Sequence, residues 1–247
     1  MSFDSAAFSI LWPALAAGLL VAATHVPLGM QVLKRGIVFI DLAVAQIAGL
    51  GVIVADRLGF EPQGAAVQVG ALGAALAGAF ALNWTDKRWP EIQEAVIGVA
   101  FIVAANGAIL LLASNPHGAE HLKDLLVGQI LWADAMRLAI VTAVYAAILA
   151  AWFGLGARLG RAGFYLLFAC AVTASVQLVG VYLVFASLIV PALATLRFAR
   201  RRLAAAYAVA AVAYAAGLGV SVVSDLPPGP LIVCLMALLG AAVFAAS

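Results

Sequence analysis

The chain is written almost entirely in long apolar runs, broken at intervals by short clusters of charge, glycine and proline. Nine such runs predict helices near residues 7–28, 36–56, 64–83, 92–113, 134–156, 163–179, 180–197, 203–223 and 230–246. Most reach the length of about 20 residues that an α-helix needs to cross a bilayer. The first run has no basic segment before it and is long enough to span, so it reads as a transmembrane helix. The sixth and seventh are separated only at Gln177-Leu178-Val179-Gly180, and Pro191 interrupts the seventh. That pair reads either as two spans or as one bent or re-entrant unit.

The expected fold is therefore all-α, a polytopic membrane bundle of about nine transmembrane helices. Composition narrows the class further. Hydrophobic residues make up 66% and charged residues 10% of the 247 positions, and the mean hydropathy is +1.15. A soluble domain carries about 45–50% apolar and about 25% charged residues. No segment is polar enough for a separate soluble domain, so residues 1–247 read as a single transmembrane domain in contact with lipid.

Charge placement adds an orientation. Lys34, Arg35, Lys87, Arg88, Arg158, Arg161, Arg197, Arg200, Arg201 and Arg202 follow odd-numbered helices, ten of the thirteen Lys and Arg. Arg57, Lys123 and Arg137 remain for the opposite side, with Asp56, Glu61, Glu120, Asp124, Asp134 and Asp225. Loops rich in Lys and Arg stay in the cytoplasm. The N-terminus is then expected outside and the C-terminus inside, and nine spans fit this alternation where eight do not.

The longest connection, Ser114 to Ala133, contains a stretch from His121 to Trp132 with apolar residues at helical spacing. It reads either as a helix lying in the outer interface or as an amphipathic connector packed on the bundle. Small residues at close spacing, Ala74 with Gly78 and Gly156 with Gly160, suit tight helix packing in lipid.

Polar residues at membrane depth are the candidates for chemistry, because each is costly there. Asp41 lies five residues into the second predicted helix, where a carboxylate costs about 2.5–3.5 kcal/mol on insertion scales. It either lines a cation path or pairs with Lys34 or Arg35. Gln46 follows five residues later, about 140° round the helix. Asn106 and Gln177 are the other amides at depth, and interhelical hydrogen bonding is the expected role of all three. His25 precedes Pro27 at the end of the first helix. His117 and His121 stand one helical turn apart, but Pro116 and Gly118 argue for a surface pair without metal. Cys170 and Cys234 lie inside apolar runs without a CxxC spacing, which argues against a zinc site or disulfide framework.

The chain has no G-x-x-x-x-G-K-[ST], no H-E-x-x-H and no G-x-S-x-G. It therefore carries no phosphate-binding loop, zincin motif or nucleophile elbow of its own. No catalytic or cofactor-binding residue is expected. Asn83-Trp84-Thr85 matches a glycosylation acceptor but falls on the expected cytoplasmic side.

Four blocks resemble the permease subunits of zinc/manganese/iron chelate ABC importers. They are Val26-Pro27-Leu28-Gly29 through Lys34-Arg35 to Asp41 and Gln46–Gly51; Glu94-Ala95-Val96-Ile97-Gly98; Leu125–Leu131; and Val179–Val184 through Leu188–Ala194, followed by Asp225–Pro230. The resemblance implies a homodimeric permease of a bacterial cytoplasmic (inner) membrane with the substrate path at its centre. An ABC ATPase would supply ATP hydrolysis from the inner side, and an extracytoplasmic metal-binding protein would deliver Zn²⁺ or Mn²⁺. No nucleic-acid partner is implied. Asp41, Gln46, Asn106 and Gln177 are the candidate path residues.

Two departures stand out. The histidine of the family motif aligns with Gln46, and an amide is a poor Zn²⁺ ligand. The cytoplasmic coupling segment of the family, of the type Asp-Pro-x-x-Ala-x-x-x-Gly, is replaced by the short linker 154–163. That linker keeps open an ATP-independent cation carrier or channel on the same bundle, and a non-transporting scaffold.

Overall fold

The computed structural model describes residues 5–61, 64–112, 118–128, 130–132 and 135–247, without the side chains of 5–10, 118–121, 132, 137 and 157. Its elements are α1 (Ser5–Arg35), α2 (Ile40–Arg57), α3 (Ala65–Arg88), α4 (Gln93–Leu112), a short α5 (Gly118–Val127), α6 (Ala135–Leu155), α7 (Gly160–Val179), α8 (Val181–Ala194), α9 (Arg202–Ser224) and α10 (Pro228–Ala245). No strand occurs among the described residues. All nine expected helices are present, joined by the additional short α5.

Seven of the described helices, α1, α3, α4, α6, α7, α9 and α10, are long and apolar enough to cross a membrane. Two of the remaining expected spans, α2 and α8, fall outside that group. α2 has the length but carries Asp41, Asp56 and Arg57, and α8 has only 14 residues. At 1.5 Å per residue α8 is about 21 Å long, short of the hydrocarbon thickness of about 30 Å. Hydrophobic side chains face outward along α4 and α6, as at Val99, Val103, Leu110, Met136 and Ile140. In lipid such a surface is no defect, because the solvent is as apolar as the side chains.

Two packing groups make up the bundle. α2 lies against α3 and α4, and α3 against α7; α1 lies against α8 and α9, and α10 closes on both of these. At the α2–α3 crossing a Cβ on Gly51 would come within 2.7 Å of the Ala74 Cβ, and one on Gly78 within 2.7 Å of Ile47. The Ala74/Gly78 stripe thus does what small residues do in lipid, letting backbones approach. The Gly156/Gly160 pair does not. Both glycines lie in or beside the connector between α6 and α7, with nothing within 4 Å of a Cβ placed there.

Two further expectations are corrected. α1 does not stop near residue 28 but runs through Pro27 to Arg35. A proline removes one intrahelical donor, yet the buried partners of α1, including Leu188 against Gly29, hold the helix through it. The connection before α6, expected on the outer side, is not a free-standing segment. Leu122 and Leu125 of α5 pack on the cluster of Ile53, Ala108 and Leu112, and Leu125 sits beside Gly49, so the packed-connector reading holds.

α7 and α8 are parted by one residue, Gly180, at φ 82° and ψ 162°. No side chain tolerates that conformation well. Gly128, at φ 72°, closes α5 against the backbone of Val179 and Gly180. The end of α5 is therefore wedged onto the break, leaving no space for a Cβ at either glycine.

Candidate functional site: a buried carboxylate above a polar cleft

α2 begins at a point where two carboxylates gather. Phe39 donates its backbone N–H to Glu94 Oε1 at 3.3 Å, and the Phe39 ring stacks on Phe185 of α8 at 6.3 Å. Asp41 follows in the first turn, where the helix dipole favours a negative charge. Its side chain is 1% exposed, and neither carboxylate oxygen has a hydrogen-bond partner. The pairing with Lys34 or Arg35 anticipated as one alternative is not made. Arg35 instead lays its guanidinium over the Phe164 ring, 4.4 Å from the centroid.

The four candidate path residues sit in different surroundings. Gln46 is buried like Asp41, but lies five positions on and off its face. Asn106 is exposed on α4 and donates to the carbonyl of Ile102 one turn back, at 2.9 Å. Its bond is therefore within its own helix rather than between helices. Gln177 is half-buried in the last turn of α7. Among the described residues, no three His, Cys, Asp or Glu side chains cluster to hold a metal. His117 lies outside the described residues, as does the side chain of His121.

A band of buried hydroxyls ties the other helices together. His25 Nδ1 lies 3.0 Å from both the Val21 carbonyl and Thr24 Oγ1, and its Nε2 is buried without a partner. Tyr145 of α6 is hydrogen-bonded to Ser175 of α7, and Ser187 of α8 to Tyr214 of α9 at 2.7 Å. Tyr207 of α9 donates to the Ala23 carbonyl of α1 at 2.9 Å. Sequence reasoning found none of these pairs. Their members lie 27 to 184 residues apart, and a lone Tyr or Ser on an apolar helix carries no periodic signal.

Below Asp41 the helix ends form a cleft of about 420 Å³. Its walls come from the α1–α2 turn (Arg35, Gly36, Ile37), the α3–α4 turn (Asp86, Pro90, Glu91, Gln93, Glu94) and Arg161 at the start of α7. Gln93 organises the α3–α4 wall. Its amide donates to the Leu82 carbonyl at 2.9 Å and to the Tyr165 hydroxyl at 3.2 Å, while accepting from Thr85. Arg161 closes one side by pairing with Asp86 Oδ2 at 3.3 Å and donating to the Asp86 carbonyl. Arg35 Nε and Glu94 Oε2 are buried there without hydrogen-bond partners.

Comparison with known proteins gives this arrangement a context. The ABC 3 transport family model matches residues 7–155 and 147–247, and the two matched segments overlap over residues 147–155 of α6. The fold is similar to that of PsaBC from Streptococcus pneumoniae in complex with Fab, with TM-score 0.77 and 20% identity over 95% of this chain and 91% of that one. It is also similar to an inward-facing metal-chelate type ABC transporter, with TM-score 0.69 and 16% identity over 100% of this chain and 89% of that one. With both halves of the chain matched and its apolar helices fitting a multi-pass protein of the cytoplasmic membrane, the chain belongs to the ABC 3 transport family, the permeases of ABC-type metal-ion transporters.

Proposed function

We propose that this chain is the membrane-spanning subunit of an ABC-type transporter for a divalent metal ion of the zinc/manganese class, working as a homodimer. The observation that carries the reading is Asp41, a wholly buried carboxylate with no partner in a member of a transport family. An ionised group buried alone is strongly unfavourable and is found where it meets a counter-charge during function. A passing cation is such a counter-charge. Oxygen donors suit Mn²⁺ better than Zn²⁺, and an amide stands where the family motif carries an imidazole, so manganese is the favoured cargo.

The chain carries no nucleotide-binding motif, and energy would come from an ABC ATPase on a separate subunit. An extracytoplasmic metal-binding protein would deliver the ion. The test is reconstitution: the permease co-purified with its ATPase should take up ⁵⁴Mn²⁺ into proteoliposomes only with ATP. Failure to retain any ATPase, with no ATP-driven uptake, would sink this reading. A second reading, an ATP-independent carrier or channel, is favoured by one observation. The connector between α6 and α7 is a single 3₁₀ turn, Gly156–Leu159. Equal uptake with and without ATP by the permease alone would select it.

A further inference from the structure

No Asp or Glu occurs between Asp134 and Asp225, yet Arg197, Arg200, Arg201 and Arg202 crowd into the turn between α8 and α9. We propose that this turn is a binding site for an anionic phospholipid. Arg200 and Arg201 hold the phosphodiester of the headgroup, and Leu193 and Leu196 lie along its acyl chains. The site concerns the lipid around the bundle and is independent of cargo and energy source.

The turn is built, not loose. Leu196 donates its backbone N–H to the Leu193 carbonyl at 3.0 Å, and Phe198 to the Thr195 carbonyl at 3.1 Å. The buried Thr195 hydroxyl donates to the Pro191 carbonyl at 2.9 Å. Two of the arginines fasten this turn to its neighbours. Arg202 donates to the Ala192 carbonyl at 3.1 Å, and Arg197 lays its guanidinium over the Phe244 ring of α10, 4.2 Å from the centroid. The other two are left over. Arg200 and Arg201 are exposed, and among the described residues neither side chain has a hydrogen bond, ion pair or ring contact.

Charge selects the occupant. Elsewhere at this end basic side chains have acids beside them: Arg161 pairs with Asp86 at 3.3 Å, and Lys87 and Arg88 stand between Asp86 and Glu91. The helices packed around the α8–α9 turn are α1, α8, α9 and α10, and none of them contains an Asp or Glu. Asp41 of α2, which also meets α8, is buried. The balancing charge therefore comes from outside the protein. Guanidinium groups fit phosphate oxygens with paired hydrogen bonds, and basic residues flanking a membrane helix draw anionic lipid by roughly fivefold each. Apolar surface then favours a lipid over a free anion. Leu193 and Leu196 are exposed beside the arginines, and only a ligand with both phosphate and acyl chains uses both. Retention of a positive loop in the cytoplasm needs charge, but not a turn fastened in this way.

The test uses the full-length chain, delipidated in a neutral detergent and titrated with dioleoylphosphatidylglycerol. Native mass spectrometry reads the affinity for the first lipid bound. Arg200→Gln combined with Arg201→Gln should weaken it at least about tenfold, and Arg200→Lys combined with Arg201→Lys should restore most of it. Lys87→Gln combined with Arg88→Gln, at the turn flanked by acids, should leave it unchanged. Monodispersity and an unchanged melting temperature without lipid verify the fold of each variant. Equal affinity for dioleoylphosphatidylcholine overturns the site, as does an equal loss in the Gln and Lys pairs or in the Lys87/Arg88 control. Inorganic phosphate that competes as well as the lipid assigns the turn to a free anion and overturns the lipid. A Gln pair that keeps its lipid but sheds a co-purified protein makes the turn a protein contact, and the proposal fails.

Discussion

Asp41 has no side-chain partner, and the polar groups nearest its carboxylate are the backbone N–H groups of Asp41 and Leu42 in its own turn. The Phe39–Phe185 stack fixes the chain just before it, Glu94 caps the Phe39 amide, and the carboxylate is left without a bond. A group kept only for stability would not be ionisable at such a place, because a neutral residue of the same shape costs less to bury. Asp41→Asn is therefore expected to leave the melting temperature unchanged or higher. It should also reduce ATP-driven metal uptake in proteoliposomes at least about tenfold, about 1.4 kcal/mol on the transport barrier. Unchanged uptake would remove Asp41 from the path. Asp41 was legible in the sequence because one charge in an apolar run is conspicuous. The orphaned Nε2 of His25 and the Tyr145–Ser175 pair were not, since polarity of this kind shows only when helices meet.

Among the elements, the α7–α8 break is the least forgiving. Gly180 combines a positive φ with backbone contact to Gly128, so a side chain there is strained and also collides. Gly180→Ala should lower the stability of the detergent-solubilised protein by about 1–3 kcal/mol. Gly98→Ala, inside α4 with open space around it, should be neutral or stabilising by about 0.5–1 kcal/mol. Thermal unfolding followed by size-exclusion chromatography distinguishes them, and equal effects would show that the break is not a fixed structural joint. The sequence marked this position through the Gln177–Gly180 interruption, but it did not show what lies against it. Apolar runs report where helices are, because lipid selects composition. They do not report partners, because lipid-facing and protein-facing surfaces are equally apolar. For the same reason the extension of α1 through Pro27 and the packing of α5 became visible only in three dimensions.

At the scale of the molecule, the basic residues gather at one end of the bundle. α2 and α3 run antiparallel, with Gly51 against Ala74 and Ile47 against Gly78, so α3 ends where α2 begins. Arg161 pairs with Asp86, which brings the start of α7 to the same end. Gly18 meets Tyr214 while the Ala23 carbonyl meets Tyr207, so α9 starts beside the end of α1, and Arg202 joins Arg35 there. Arg57 lies at the other end, bonded to the carbonyl of Leu111. A bundle with this asymmetry is expected to insert with its basic end toward the cytoplasm, because positively charged loops are retained there. Single cysteines in a background lacking Cys170 and Cys234 test the orientation directly. Leu58→Cys, at an exposed position beside Arg57, should react with an impermeant maleimide in intact spheroplasts. Arg200→Cys should react only after the membrane is opened. The reverse pattern would invert the molecule and overturn this orientation.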